Sequence, residues 1–128
     1  MKYYFTKSTS YDYEEAVELT MEALQEEGFG IVSEINMHTT LKEKINKDFK
    51  RYLIIGACHP SLAHEALLFE DKIGIMMPCN VTVIEQPDGI VDISTFNPMI
   101  LNDVVKNDRL ECFATDVRGK LRRVLARL

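Results

Sequence analysis

Apolar positions recur along the chain with two different periods, and the switches between them mark out the elements. Lys2 to Thr9 alternates, with Tyr3 and Phe5 on one face and Lys2, Tyr4 and Thr6 on the other, which predicts a strand. From Asp12 the period lengthens: Tyr13, Ala16, Val17, Thr20, Met21 and Leu24 fall on one helical stripe, while Glu14, Glu18, Glu22 and Glu26 lie elsewhere. Asp12 is placed to cap this helix, with Glu15 three residues on. Gly28 is placed to end it, because glycine takes the left-handed conformation without a Cβ clash. Phe29 to Asn36 reads as a second strand, with Phe29, Ile31, Ser33 and Ile35 on one face. Thr39 or Thr40 then opens a short polar helix through Leu41, Ile45 and Phe49.

The middle of the chain is punctuated more sharply. Tyr52-Leu53-Ile54-Ile55 is a β-rich run that stops at Cys58-His59-Pro60, where proline cannot donate a ladder hydrogen bond. Ser61 to Leu68 reads as a helix with Leu62, Ala63, Ala66 and Leu67 on one side. After Gly74, Met77-Pro78-Cys79-Asn80 leads into a fourth strand, Val81 to Glu85. Gln86-Pro87-Asp88-Gly89 then turns it into a fifth, Ile90 to Phe96. Asn97-Pro98 ends that hairpin, and a long helix follows from near Asn102 or Asp108. Its stripe is Leu110, Phe113, Ala114, Val117, Leu121, Val124, Leu125 and Leu128. Aspartates near its start and arginines near its end suit the helix dipole. The expected fold is therefore α+β: a mainly antiparallel sheet of about five strands in β-α-β(4)-α order. An N-terminal helix and a long C-terminal helix cover it, in one domain over residues 1–128.

A chain of 128 residues with 46% hydrophobic content can bury a core without metal or disulfide staples. The net charge of −5 argues against a nucleic-acid surface. No apolar run reaches the ~20 residues needed to span a bilayer, so no membrane partner is expected. Met1 to Lys7 lacks the apolar core of a signal peptide, which makes a cytoplasmic location the default expectation. Three cysteines without framework spacing point to reduced thiols.

Candidate chemistry follows from topology. With strands two to five paired antiparallel in chain order, the third ends where the second and fourth begin. Gly28-Phe29-Gly30, Cys58-His59 and Cys79-Asn80 then meet at one rim, joined by Asn97 at the end of the fifth strand. Candidate ligand-binding residues are thus Gly28, Phe29, Gly30, Cys58, His59, Cys79, Asn80 and Asn97. If Cys58 and Cys79 pair directly, their Cα atoms lie ~4.5–5.5 Å apart, inside the disulfide range. They are then candidates for redox or sulfur-transfer chemistry, with His59 to depress a thiol pKa. The plainer alternative is that both are small buried hydrophobes. Cys58, His59 and Cys79 make only a weak metal set, since adjacent strand residues point to opposite faces and no CxxC or HxxxH is present. No metal is therefore expected, and the sequence leaves any cofactor unknown. Cys112, beside Phe113, reads as core or interface, and Lys42, Lys44, Lys47 and Lys50 as a solvated helix face. With no GxSxG, P-loop, GxGxxG or HExxH, no enzyme class is assigned. An exposed edge such as the first strand favours pairing with a second copy, so a homodimer is expected.

Gly28-Phe29-Gly30, Gly56-Ala57-Cys58 with Pro60, and Pro78-Cys79-Asn80-Val81 resemble the signature segments of the domain of unknown function 302 family, over essentially the whole chain. The resemblance implies a β-α-β(4)-α fold and brings no established activity. His59 stands where that family often has Asn, so a mechanism resting on His59 would be particular to this protein. The functional expectation is small-ligand binding or sensing at the Cys58/Cys79 rim, with thiol-dependent redox or sulfur transfer as the alternative.

Overall fold

In the computed structural model, which describes residues 1–128, the alternating runs form one antiparallel sheet. Its strands are β1 (Tyr4–Thr9), β2 (Gly30–Asn36), β3 (Tyr52–Cys58), β4 (Cys79–Glu85) and β5 (Val91–Phe96). The spatial order is β1-β5-β4-β3-β2, so β2 to β5 lie in chain order as expected, and β1 docks outside β5 as an edge. The helices are α1 (Tyr13–Glu26), α2 (Met37–Ile45), α3 (Pro60–Phe69), α4 (Ile100–Val105) and α5 (Leu110–Ala126), with a 3-10 segment at Asp71–Met76. The α+β class and the β-α-β(4)-α order both hold, with the short helices as additions.

The core lies on one side of the sheet. Leu53, Ile55 and Ala57 of β3, Val81 and Val83 of β4, and Val91 and Ile93 of β5 alternate inward and are buried. They pack against the stripes of α1 (Ala16, Ala23, Leu24) and α5 (Leu110, Phe113, Val117, Leu121, Val124). Thr20 interrupts the α1 stripe without leaving an unpaired hydroxyl, because its Oγ1 donates to the Ala16 carbonyl at 2.6 Å. Alternation sends Tyr52, Ile54, Thr82, Ile84, Ser94 and Phe96 to the opposite face, where none is fully buried.

Several local expectations are revised. Asp12 has the extended backbone of a capping residue, yet its side chain makes no cap hydrogen bond. The small polar helix starts at Met37, before Thr39, and Phe49 lies beyond its end at the left-handed Asn46 (φ 53°). His38 ties this helix to the sheet by accepting the Tyr52 N–H at Nδ1, 2.9 Å. Of the two starts expected for the long C-terminal helix, the one near Asp108 holds: a separate short helix, α4, stops before the left-handed Lys106 (φ 59°), and the Asn107 side chain accepts the Arg109 N–H just ahead of α5. The largest revision is in β2. Its ladder slips between Ile31 and Ser33, leaving Val32 as an extra, unpaired residue. Ile31 therefore faces inward opposite Ala57, while Ser33 and Ile35 face outward opposite Gly56 and Ile54, not all on one face.

The acidic side of α1 is not merely solvated. At its C-terminal end, Arg127 bonds Glu26 (2.7 Å) and Glu27 (2.9 Å), and Arg123 bonds Glu27 (2.9 Å). These bonds, Arg127's first, hold the Glu27 carboxyl below its usual range despite some desolvation. A lowered folded-state pKa contributes stability that is present above the unfolded carboxylate value and lost as pH falls through the folded one. Urea unfolding across the acid range should show that decline in the wild type, and Glu27→Gln should lower the neutral-pH midpoint while flattening the decline.

Candidate functional site at the sheet rim

The ends of β3, β2 and β4 meet where the topology requires, but not in the register that direct thiol pairing needs. Gly30 faces Cys58, and Cys79 faces Ala57. The two cysteines are one residue out of step, so Cys79 shares the inward side of Ala57 while Cys58 starts from the opposite side. The directly opposed pair on which the disulfide spacing relied is therefore not formed, and both thiols are free.

Even so, both line one cavity of about 260 Å³, open to solvent on one side. Nine of its eleven lining residues are hydrophobic, which sets its chemistry. Phe29, Ala57 and the bulged Val32 form one wall; Met77, Pro78 and Cys79 form another. Phe113 and Val117 of α5 close it from the helix layer, and Ala63 of α3 is too small to fill it. The bulge matters because it leaves Val32 60% exposed beside the opening instead of paired in the ladder.

Glycines allow the close contacts around this rim. Gly28 ends α1 at φ +90°, and a Cβ there would stand 2.8 Å from His59 Nε2. His59 is thereby held over the end of α1. Its ring meets Phe29 edge to face, with centroids 5.6 Å apart, and its Nδ1 lies 3.3 Å from the Ser61 hydroxyl at the start of α3. On the other side of β3, a Cβ on Gly56 would collide with the Ser33 hydroxyl and come within 2.9 Å of the Pro78 ring.

Burial pushes the Cys79 thiol up to about 11, and neighbouring Cys58 adds to the shift. An activated thiolate needs the opposite displacement. No three His, Cys, Asp or Glu side chains gather as a ligand set around a metal ion. Of the expected residues, Gly28 and Gly30 do not themselves line the cavity, and two others lie away from it. Asn80 is exposed on the outer face. Asn97 is a buried clasp, donating to the Lys2 carbonyl at 2.9 Å and accepting the Met99 N–H at 3.1 Å. Cys112, expected in core or interface, is exposed on α5, which removes the core alternative. Sequence reasoning missed Val32, Ala57, Ala63, Met77 and Pro78 as lining residues. Phe113 and Val117 were visible only as part of the α5 stripe.

The model of the family "Domain of unknown function DUF302" matches residues 5–128. The chain belongs to the DUF302 family. Its fold is also that of the crystal structure of an uncharacterized conserved DUF302 protein from Bacillus stearothermophilus. That likeness has a TM-score of 0.92 at 25% identity, over 99% of this chain and 98% of that one. No curated protein matches the chain. No helix of this DUF302 protein is long and apolar enough to cross a membrane.

Three outcomes follow from the rim of this DUF302 chain. Alkylation of the native protein at neutral pH, read by mass spectrometry, should modify exposed Cys112 first and Cys79 last. Because an unfolded thiol ionises near ~8.5 and the folded Cys79 near 11, stability should fall as pH rises between those values, and less so in Cys79→Ala. Gly56→Ala should destabilise by about 1–3 kcal/mol in urea unfolding, since the rigid Pro78 ring cannot rotate away.

Proposed function

We propose that the rim cavity binds a small, uncharged, mainly apolar molecule, and that this DUF302 domain is a binding or sensing module. The observation that carries the reading is the lining itself: nine hydrophobic residues of eleven, around a thiol that stays protonated at neutral pH. An ionised ligand would lose its hydration here without a counter-charge to replace it. A volume of about 260 Å³ lies just under the ~300–1,000 Å³ usual for ligand pockets, and above the ~150 Å³ that accepts benzene in an apolar cavity. That size favours a single- or fused-ring molecule. The His59 ring and the Cys58 thiol, both lining the cavity and half-exposed, would supply its polar handle. We take the working unit to be two copies of the chain, since the sheet leaves a broad face uncovered.

A second reading, thiol redox or sulfur transfer, is favoured by one observation only, that Cys58 and Cys79 line the same cavity. The raised Cys79 pKa and the offset register weigh against it.

Indole is a suitable probe for the first reading. Its titration, followed by amide chemical shifts, should perturb Phe29, Val32, Ala63 and Phe113 together. Ala63→Phe, which places a ring in the cavity, should abolish those shifts while leaving the fold intact. Shifts scattered over the surface, or unchanged in a folded Ala63→Phe variant, would count against a rim site.

A further inference from the structure

The face of the sheet opposite α1 and α5 has an unusual composition for solvent-exposed strands. Tyr4, Tyr52, Ile54, Ile84 and Phe96 stand on it, half-buried, amid Thr and Ser. None of its strand positions is Lys or Arg, and its one charge, Asp92, is already engaged by the Ser8 hydroxyl at 2.7 Å and the Gln86 amide at 3.0 Å. The hydroxyls pair among themselves, with Ser94 donating to Thr6 at 2.8 Å, so covering the face would strand few polar groups. This contrasts with a chain that is 27% charged and carries a net −5.

We propose that this open face is a homodimer interface, on which a second copy of the chain stacks sheet against sheet. The proposal rests on the reading of the working unit as two copies and assigns the surface that joins them. Charge supports a second copy as the occupant: two chains of the same sign repel, and on this broad surface each brings a single strand carboxylate, Asp92, already held by hydrogen bonds. The aromatic residues resemble a base-stacking platform, but a nucleic acid would find no cation on the strands themselves, only Lys2 over the Tyr4 ring at the β1 margin, to meet its phosphates. Size supports it too. Five strands at ~4.8 Å spacing, each of six or seven residues at ~3.3 Å, make a face of about 24 by 21 Å. Covering it on both copies removes on the order of 1,000 Å², the lower limit for a specific interface. Shape adds a third argument. A hollow of about 400 Å³ is lined by the small Thr82 and Ser94 together with the rings of Tyr4, Tyr52 and Phe96. Small residues among aromatic rings let a ring from one copy enter the hollow of the other, as in aligned sheet packing.

The β2 edge is a poor competitor, since its bulge interrupts the ladder. The β1 edge and the exposed α3 patch around Leu68 are the arrangements to test against. Sedimentation of the full chain should give twice the 14.7 kDa protomer mass. Thr82→Arg and Ser94→Arg, each placing an unpaired charge at the centre of the face, should weaken the dimer at least about tenfold with unchanged circular dichroism. Leu68→Arg should leave it intact. A wild-type monomer at high concentration would overturn both the two-copy reading and this interface. A dimer that survives both arginine variants, or that is lost only in Leu68→Arg, would overturn the interface alone.

Discussion

Burial of one sheet face beneath α1 and α5 fixes the register of every strand, and the rim and the outer face both inherit their character from it. Ile55, Val83 and Ile93 are fully buried on three successive strands. Slipping any of these strands by one residue would turn its whole apolar set outward, at ~1.5–3 kcal/mol for each side chain exposed. The register thus enforced sets Cys79 opposite Ala57, on the inward side. Burial there raises the thiol pKa, so the same force that orders the sheet removes the most direct route to thiolate chemistry. Alternation then sends the remaining residues outward, and because all but Asp92 are aromatic, aliphatic or neutral they leave a second, largely apolar surface.

The features legible in the sequence were those set by local rules. The β4–β5 hairpin was visible in Gln86-Pro87-Asp88-Gly89, and Gly89 indeed holds φ +87°. The end of α1 was visible in Gly28, and the core face of α5 in its stripe, every inward member of which from Leu110 to Leu125 is buried. The meeting of β2, β3 and β4 at one rim followed from strand order alone. What escaped depended on non-local geometry. The bulge at Val32 carries no composition signal: Ile31-Val32-Ser33 is good strand sequence, and only the inward demand on Ile31 and the outward contact of Ser33 with Gly56 force an extra residue between them. Asn97 looked like a site residue because the fifth strand ends at the same rim, yet its amide closes the join between the chain's first residues and α4. Cys112 lies one position off the α5 stripe, and a single step of about 100° carries it into solvent.

The salt bridges show how an acidic surface can serve the fold. Arg51 forms a two-pronged pair with Glu85 (2.7 and 3.0 Å) and also bonds Glu14, while stacking 4.5 Å over the Tyr13 ring. It joins the start of α1 to the far ends of β3 and β4, and Arg127 with Arg123 joins the other end of α1 to α5. A helix without a basic residue of its own is held at both ends by arginines distant in the sequence. Each such pair at an exposed position contributes little. Their placement at opposite ends still restrains the helix against sliding over the sheet.

The cavity and the open face are separated by little more than one strand's backbone. Gly56 meets Ser33 and Pro78 on the outer side, while the next residue, Ala57, lines the cavity on the inner side. Pro78 touches both, since it packs over Gly56 and also lines the cavity. A side chain added at Gly56 would therefore disturb both surfaces and could not tell ligand binding from assembly. Thr82 lies at the centre of the outer face, and Ala63 on a helix at the cavity. Substitutions at those two positions act on one surface each, so they separate the two proposed roles that the strand between them joins.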